Sequence, residues 1–237
     1  MYKVNTFTPV FASFLLAFVL LSSCKLDRDD YAYGELSATS AVNAVPSDRK
    51  LDIGLDQNKL NMSNESFGFG DYLPYRNAFP GNRLVRVFDR DSVSKGALVS
   101  KQLAFGPGKI YSLFVVGETS LDVVSFEDKN EAPMSGTASV RFINLSPDAP
   151  ALNLGIEGGE VLLAKSIAYK GSSVYFAMKA GQKYRLFITS NTNAELANFE
   201  FVPKEKGIYT IWAKGLVKDR EPDSKYKFGQ RILQQLE

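Results

Sequence analysis

The 237-residue chain contains no histidine and one cysteine, Cys24. The first absence excludes Ser-His-Asp and Cys-His hydrolysis and zinc sites built on imidazole. The second excludes an internal disulfide, and a Cys24 committed to another role leaves no thiol nucleophile or thiolate metal site. Net charge is also scarce: 28 basic residues face 26 acidic ones, a balance of +2. Nucleic-acid binding needs a clustered positive face. Arg83, Arg86, Arg90, Lys183 and Arg185 read instead as scattered members of solvated strand faces. No partner of nucleic-acid type and no cofactor follow from this composition.

What is present begins at the N-terminus. Lys3 is the only charged residue before Cys24, and an apolar run extends from Val10 to Leu21 between Pro9 and Lys25. A positive start, a short apolar core and small residues at its end describe a secretory signal. A membrane-spanning helix needs about 20 apolar residues, and this run is shorter. Leu21-Ser22-Ser23-Cys24 resembles a bacterial lipobox. The resemblance implies a lipoprotein signal peptide over 1–23, a mature chain that starts at an acylated Cys24 carrying palmitate-type chains, and anchoring in the outer membrane. One acyl chain binds a membrane only marginally, so stable anchoring takes more than one. The mature chain would carry 27 basic and 26 acidic residues, a balance of +1. Residues 24–33, with Lys25-Leu26-Asp27-Arg28-Asp29-Asp30, read as a flexible tether. The segment is also similar to the acidic sorting signals of Bacteroidota surface lipoproteins, which favours the cell surface over the periplasmic face.

The rest of the chain repeats itself. Asn43-Ala44-Val45-Pro46 recurs as Asn144-Leu145-Ser146-Pro147, and Leu51–Asp56 recurs as Leu152–Glu157, both at an offset of 101. Pro80-Gly81 matches Ala180-Gly181 at 100, and Gly108–Phe114 matches Lys206–Trp212 at 98. Four blocks in one order indicate two copies of one domain, 34–130 and 136–218, followed by a C-terminal tail, 219–237. Roughly 200 residues after the tether suit two domains of about 100.

Leu51, Ile53 and Leu55 alternate with polar or small residues, as do Leu152, Leu154 and Ile156. A period of two puts each apolar set on one strand face. Gly158-Gly159 marks a turn, and Val161–Leu163 is the expected return strand. Further strands are expected at Val174–Phe176, Tyr184–Ile188, Asn198–Phe201 and Ile208–Trp212. Short strands at about ten-residue spacing define an all-β sandwich. Tyr209, two residues after Gly207, and its counterpart Tyr111 fit the tyrosine corner of Greek-key sandwiches.

Val140-Arg141-Phe142-Ile143-Asn144-Leu145-Ser146-Pro147-Asp148-Ala149-Pro150 resembles the opening strand and turn of the family called domain of unknown function 4397. The resemblance covers 138–215. The first copy keeps only the proline of the turn, at Pro46. The family implies two tandem immunoglobulin-like or transthyretin-like β-sandwiches in a lipid-anchored or secreted protein. It implies no activity. Ser146, Pro147, Asp148 and Pro150 read as a structural turn, with the aspartate capping and the prolines fixing φ.

Other candidates are thinner. Glu157 and Glu160 flank a hairpin tip, where a carboxylate pair for glycoside hydrolysis would lie open to water. Asp52, Asp56, Glu157 and Glu160 offer oxygens without calcium-loop spacing, so no metal site is expected. Phe67, Phe69, Tyr72, Tyr75 and Phe79 either fill the cores and the seam between domains or stack on sugars. Asp91-Ser92-Val93 resembles a Bacteroidota O-glycosylation acceptor, with Ser92 modified. Ile232, Leu233 and Leu236 suggest a short amphipathic turn in the tail. The chain as a whole reads as a non-enzymatic, lipid-anchored binding, adhesive or scaffolding module with a protein or glycan partner. The alternatives are a fimbrial or pilus-type subunit assembling by strand donation and a glycan-acting or glycan-binding accessory protein.

Overall fold

Strands form where the period-two blocks lie. The computed structural model describes residues 35–159 and 161–235; Cys24, the leader and the tether lie outside them. The first copy supplies β1 (Ser37–Asn43), β2 (Leu51–Leu55), β3 (Asn58–Lys59), β4 (Tyr72–Ala78), β5 (Gly81–Asp89), β6 (Val99–Phe105), β7 (Ile110–Gly117) and β8 (Leu121–Asp128). The second supplies β9 (Thr137–Asn144), β10 (Leu152–Ile156), β11 (Leu162–Ile167), β12 (Phe176–Lys179), β13 (Tyr184–Ser190), β14 (Glu195–Phe201), β15 (Ile208–Lys214) and β16 (Gly229–Gln235). Among the described residues the one helical element is a 3-10 helix, Arg90–Lys95.

The chain is all β. Sheet orders are β4-β1-β7-β8 and β3-β2-β5-β6 in the first copy, and β12-β9-β15-β16 and β11-β10-β13-β14 in the second. In each copy the first strand lies between an antiparallel and a parallel neighbour: β1 between β4 and β7, β9 between β12 and β15. Leu51, Ile53, Leu55 and Val85 pack against Leu113, Val115 and Val123 in one core. Leu152, Leu154, Leu186 and Ile188 pack against Val140, Phe142 and Ile211 in the other.

A third cluster joins the copies. Val42, Phe114 and Val116 of the first meet Ile143, Leu145 and Trp212 of the second. The two inner sheets are therefore buried on both faces, and Ile110–Gly117 and Ile208–Lys214 read as nearly continuous apolar runs for that reason. Asp128 accepts hydrogen bonds from Tyr75 (2.6 Å), Ser112 (2.7 Å) and Gln235 (2.6 Å) in this seam and pairs with Arg141, both side chains being fully buried. Arg141 also donates to Thr210 Oγ1 (2.8 Å) and the Glu127 carbonyl (3.0 Å) and lies over the Tyr175 ring. A buried ion pair survives its desolvation cost only when the remaining donors and acceptors are engaged, and here they are.

Two sequence expectations change. Of the amphipathic turn expected at Ile232, Leu233 and Leu236, the first two residues lie in β16 (Gly229–Gln235), paired antiparallel with β15 along its length, and Leu236 lies outside the described residues, so the second sandwich extends past residue 218. The one buried residue of this strand is the polar Gln235, which hides the alternation. The strand expected from Val174 begins instead at Phe176. Ser173 interrupts the ladder by taking the Phe142 N–H on its own Oγ (2.9 Å).

Both tyrosine corners are present. The Tyr111 hydroxyl accepts the Gly106 N–H at 2.9 Å, and Tyr209 accepts the Lys204 N–H at 3.0 Å. Each ring packs on the last phenylalanine of the preceding strand, Phe105 or Phe201. A Cβ on Gly207 would fall 2.4 Å from the Tyr209 ring, so glycine is required there.

Candidate functional site

The residues singled out from sequence lie apart from one another. Ser146, Pro147, Asp148 and Pro150 form the β9–β10 turn. Ser146 Oγ donates to the Gly215 carbonyl (2.8 Å), and Asp148 accepts the N–H groups of Val217 (2.8 Å) and Lys218 (2.9 Å). This stitches the turn to the segment after β15. Ser92 is half-buried in the 3-10 helix, with φ −144° and ψ 36° breaking its regularity. Exposed Glu157 lies 3.4 Å from Arg185, and Glu160 lies outside the described residues. Among the described residues no group of three or more carboxylate, cysteine or histidine side chains is placed to hold a metal ion.

Tyr72 and Tyr75 cannot serve as a sugar-stacking platform, because both turn into the seam. Burial, then the Asp128 charge, pushes the Tyr72 hydroxyl up to about 12 and raises Tyr75 further. Phe67 is fully buried, whereas Phe79 is 66% exposed in the connection from β4 to β5, which crosses between sheets.

A recess lies elsewhere, on the outer face of the β3-β2-β5-β6 sheet. Leu51, Ile53 and Leu55 face inward, so Asp52, Gly54 and Asp56 face out, with Phe88 beside Asp52 and Arg86 beside Gly54 across the ladder. Gly54 contributes no side chain and becomes the floor. A Cβ there would meet only the Asn58 backbone, with its oxygen at 3.1 Å. The resulting pocket of about 360 Å³ has Arg86 and Phe88 of β5 on one side of Gly54 and Asn58 and Lys59 of β3 on the other, with Asp52, Asp56, Gln57 and Val93 also lining it.

Each charge around it but one has an oppositely charged neighbour, although two cations share Asp52. Asp52 binds Lys59 (2.6 Å), Arg90 (2.8 Å) and Asn61 (2.9 Å). Burial works to raise its pKa, but these hydrogen bonds prevail and hold the carboxyl below the ordinary range. Asp56 accepts the Leu84 N–H (2.9 Å) and pairs with Arg83. Arg86 donates to the Asp56 carbonyl and stands 5.8 Å from the Phe88 ring centre. It has no carboxylate partner among the described residues, and its buried Nε has no acceptor.

The second copy shows the same backbone with the recess closed. Gly155 occupies the place of Gly54, and Phe187 lies across the ladder where Arg86 stands in the first copy. A Cβ on Gly155 would fall 2.2 Å from the Phe187 ring. A hollow of about 140 Å³ remains beside it. Sequence reasoning placed Arg86 among solvated arginines and missed this role. The repeat offset of 101 aligns Gly54 with Gly155 but has fallen to 100 by Pro80-Gly81, so the equivalence of Arg86 and Phe187 comes from the cross-strand register.

Fold and site together describe a duplicated β-sandwich with a pocket on the outer face of the first copy. The chain belongs to the family described as Domain of unknown function (DUF4397), whose model matches residues 37–155. The resemblance read from sequence covers 138–215, whereas the match takes in the whole first sandwich and the Ser146–Pro150 turn. A complete eight-strand set lies within the first copy, although its turn has lost most of the motif. No curated protein matches the chain. Among solved structures, a family 26 carbohydrate-binding module from Eubacterium rectale in complex with maltoheptaose is 10% identical, with a TM-score of 0.28, covering 85% of this chain and 98% of that one. A streptococcal virulence factor that binds alpha-glucan is 11% identical, with a TM-score of 0.25, covering 76% and 92%. A candidate cell adhesion protein from Bacteroides fragilis is 7% identical, with a TM-score of 0.22, covering 86% and 98%. None of the three carries weight for the ligand of this chain.

Proposed function

We propose that the protein is a non-catalytic binding module of the cell envelope, anchored in the outer membrane through acyl chains on Cys24, and that it holds its ligand in the pocket over Gly54. The observation that carries this reading is the contrast between two equivalent outer faces. One is closed by its own phenylalanine, and the other is left open beside an aromatic ring and an unneutralised arginine. A concave, partly apolar recess with a few convergent polar groups is the usual form of a ligand site. A chain with neither histidine nor a second thiol lacks the side chains for the commonest nucleophilic chemistry, which favours binding over catalysis.

The binding reading is tested by presenting the full chain in detergent to a glycan array, beside Arg86→Phe. That substitution places in the first copy the residue that closes the second. Signals present with the wild type should vanish with Arg86→Phe, and signals that survive it unchanged would overturn the pocket as the site. Labelled palmitate should enter the wild type and not Cys24→Ala; equal incorporation would remove the anchor.

A further inference from the structure

We infer that the pocket over Gly54 takes an acidic saccharide, with a ring carboxylate on Arg86 and the apolar face of the sugar on Phe88. The inference rests on the binding reading above and names the class of ligand.

Three observations lead to it. The first is charge. Lys59 and Arg90 share the single carboxylate of Asp52, and Arg83 pairs with Asp56, so the recess keeps a positive balance. Arg86 lines the recess with no carboxylate of the described residues in ion-pair contact, and its buried Nε has no acceptor. A guanidinium presents a planar fork of donors that suits a carboxylate better than a point charge does. The second is the two-sided wall. An aromatic ring opposite amide and ammonium groups fits a ligand with one C–H face and a hydroxyl rim, and a pyranose has both. The third is extent. Past Lys59 the surface continues into a second hollow of about 350 Å³, lined by Leu60, Asn61, Met62 and Arg76, the last neutralised by Glu65 at 2.6 Å. A ligand lying across Lys59 would be a chain of residues, not a single ring.

A peptide carboxy-terminus offers the same carboxylate. Extended peptides bind by adding a strand to a sheet edge, and the edge beside this recess is β3, only two residues long. The saccharide is therefore favoured.

The test measures binding of oligogalacturonates and of malto-oligosaccharides of equal length to the full chain by calorimetry, in the wild type, Arg86→Gln and Arg86→Phe. Thermal unfolding of each variant establishes that it folds. The wild type should bind the acidic oligomer about tenfold or more tightly than the neutral one, as a charge-assisted contact implies, and Arg86→Gln should erase that difference. Arg86→Phe should abolish binding of both. Equal affinity for the two sugars, or a preference that survives Arg86→Gln, overturns the acidic assignment while loss of binding in Arg86→Phe keeps the pocket. Undiminished binding in Arg86→Phe overturns the pocket itself. No binding of either sugar, or Arg86-dependent binding of a peptide carboxy-terminus in their place, overturns the saccharide.

Discussion

The two sandwiches share their strand order, a tyrosine corner on the seventh strand and a glycine on the second, yet their outer faces differ. In the first copy Gly54 floors an open pocket ringed by Asp52, Asp56, Lys59 and Arg86. In the second, Phe187 covers Gly155, and the place of Asp52 is taken by Asn153, which binds the Ser166 N–H and the Ser190 carbonyl. Charge and openness are lost together. The inner sheets had less freedom to diverge: each is buried on both faces and tied to the other through Trp212, Phe114 and the Asp128–Arg141 pair. A duplicated chain can change chemistry cheaply only where one face meets water, and the outer sheets supply that face.

The inner sheets form one shared body, and the largest expected effect tests that. Asp128→Ala would leave the Arg141 guanidinium buried without a counter-charge, at a cost of about 3–5 kcal/mol. Urea unfolding should show the loss, with the transition splitting as the copies part. Replacing both partners, Asp128→Leu with Arg141→Met, should cost much less because no orphan charge remains. A loss under about 1 kcal/mol for Asp128→Ala, the size of an exposed pair, would mean that the seam does not join the copies.

A smaller effect is expected on the closed face. Phe187 is half-buried, so Phe187→Ala should cost about 1–2 kcal/mol of stability, read by thermal unfolding. Phe187→Arg sharpens the question. It restores the arginine over Gly155 but not the aspartates or the lysine of the first copy, so oligogalacturonate stoichiometry should remain that of the wild type. A second equivalent bound per chain would show that the glycine floor and one arginine are enough.

The parts legible in sequence were local. Period-two blocks at Leu51–Leu55 and Leu152–Ile156 announced strands, and Gly207 before Tyr209 announced the corner. What escaped depended on pairing across distant segments. β16 turns both Leu233 and the buried Gln235 toward the seam and leaves Arg231 exposed, and so lacks the alternation of a core strand. Asp128 and Arg141 look like surface charges until the inner sheets meet. The pocket is a property of an absence, a glycine without a neighbour above it. Only the cross-strand register places Arg86 or Phe187 opposite that glycine.

The smallest predicted effect concerns a contact that reaches both copies. Asp122 on β8 accepts from Lys101 of its own copy and from Lys170 of the other, each at 2.8 Å, and from the Val123 N–H at 2.7 Å. Burial would raise its pKa, but the two lysines and the backbone N–H outweigh that and hold it at about 2, against an ordinary 3.8. A carboxyl depressed in the folded state binds fewer protons there than in the unfolded chain, so stability rises with pH across this window. The contribution is complete above about pH 4 and fades as pH falls toward about 2. Because the group is partly solvated, about 1 kcal/mol is expected. Urea midpoints followed down this acid limb should fall less steeply in Asp122→Asn. Lys101→Gln should weaken the tie within the first copy and Lys170→Gln the tie across the seam. If the latter leaves the acid limb unchanged while the former flattens it, Asp122 serves its own sandwich and not the join.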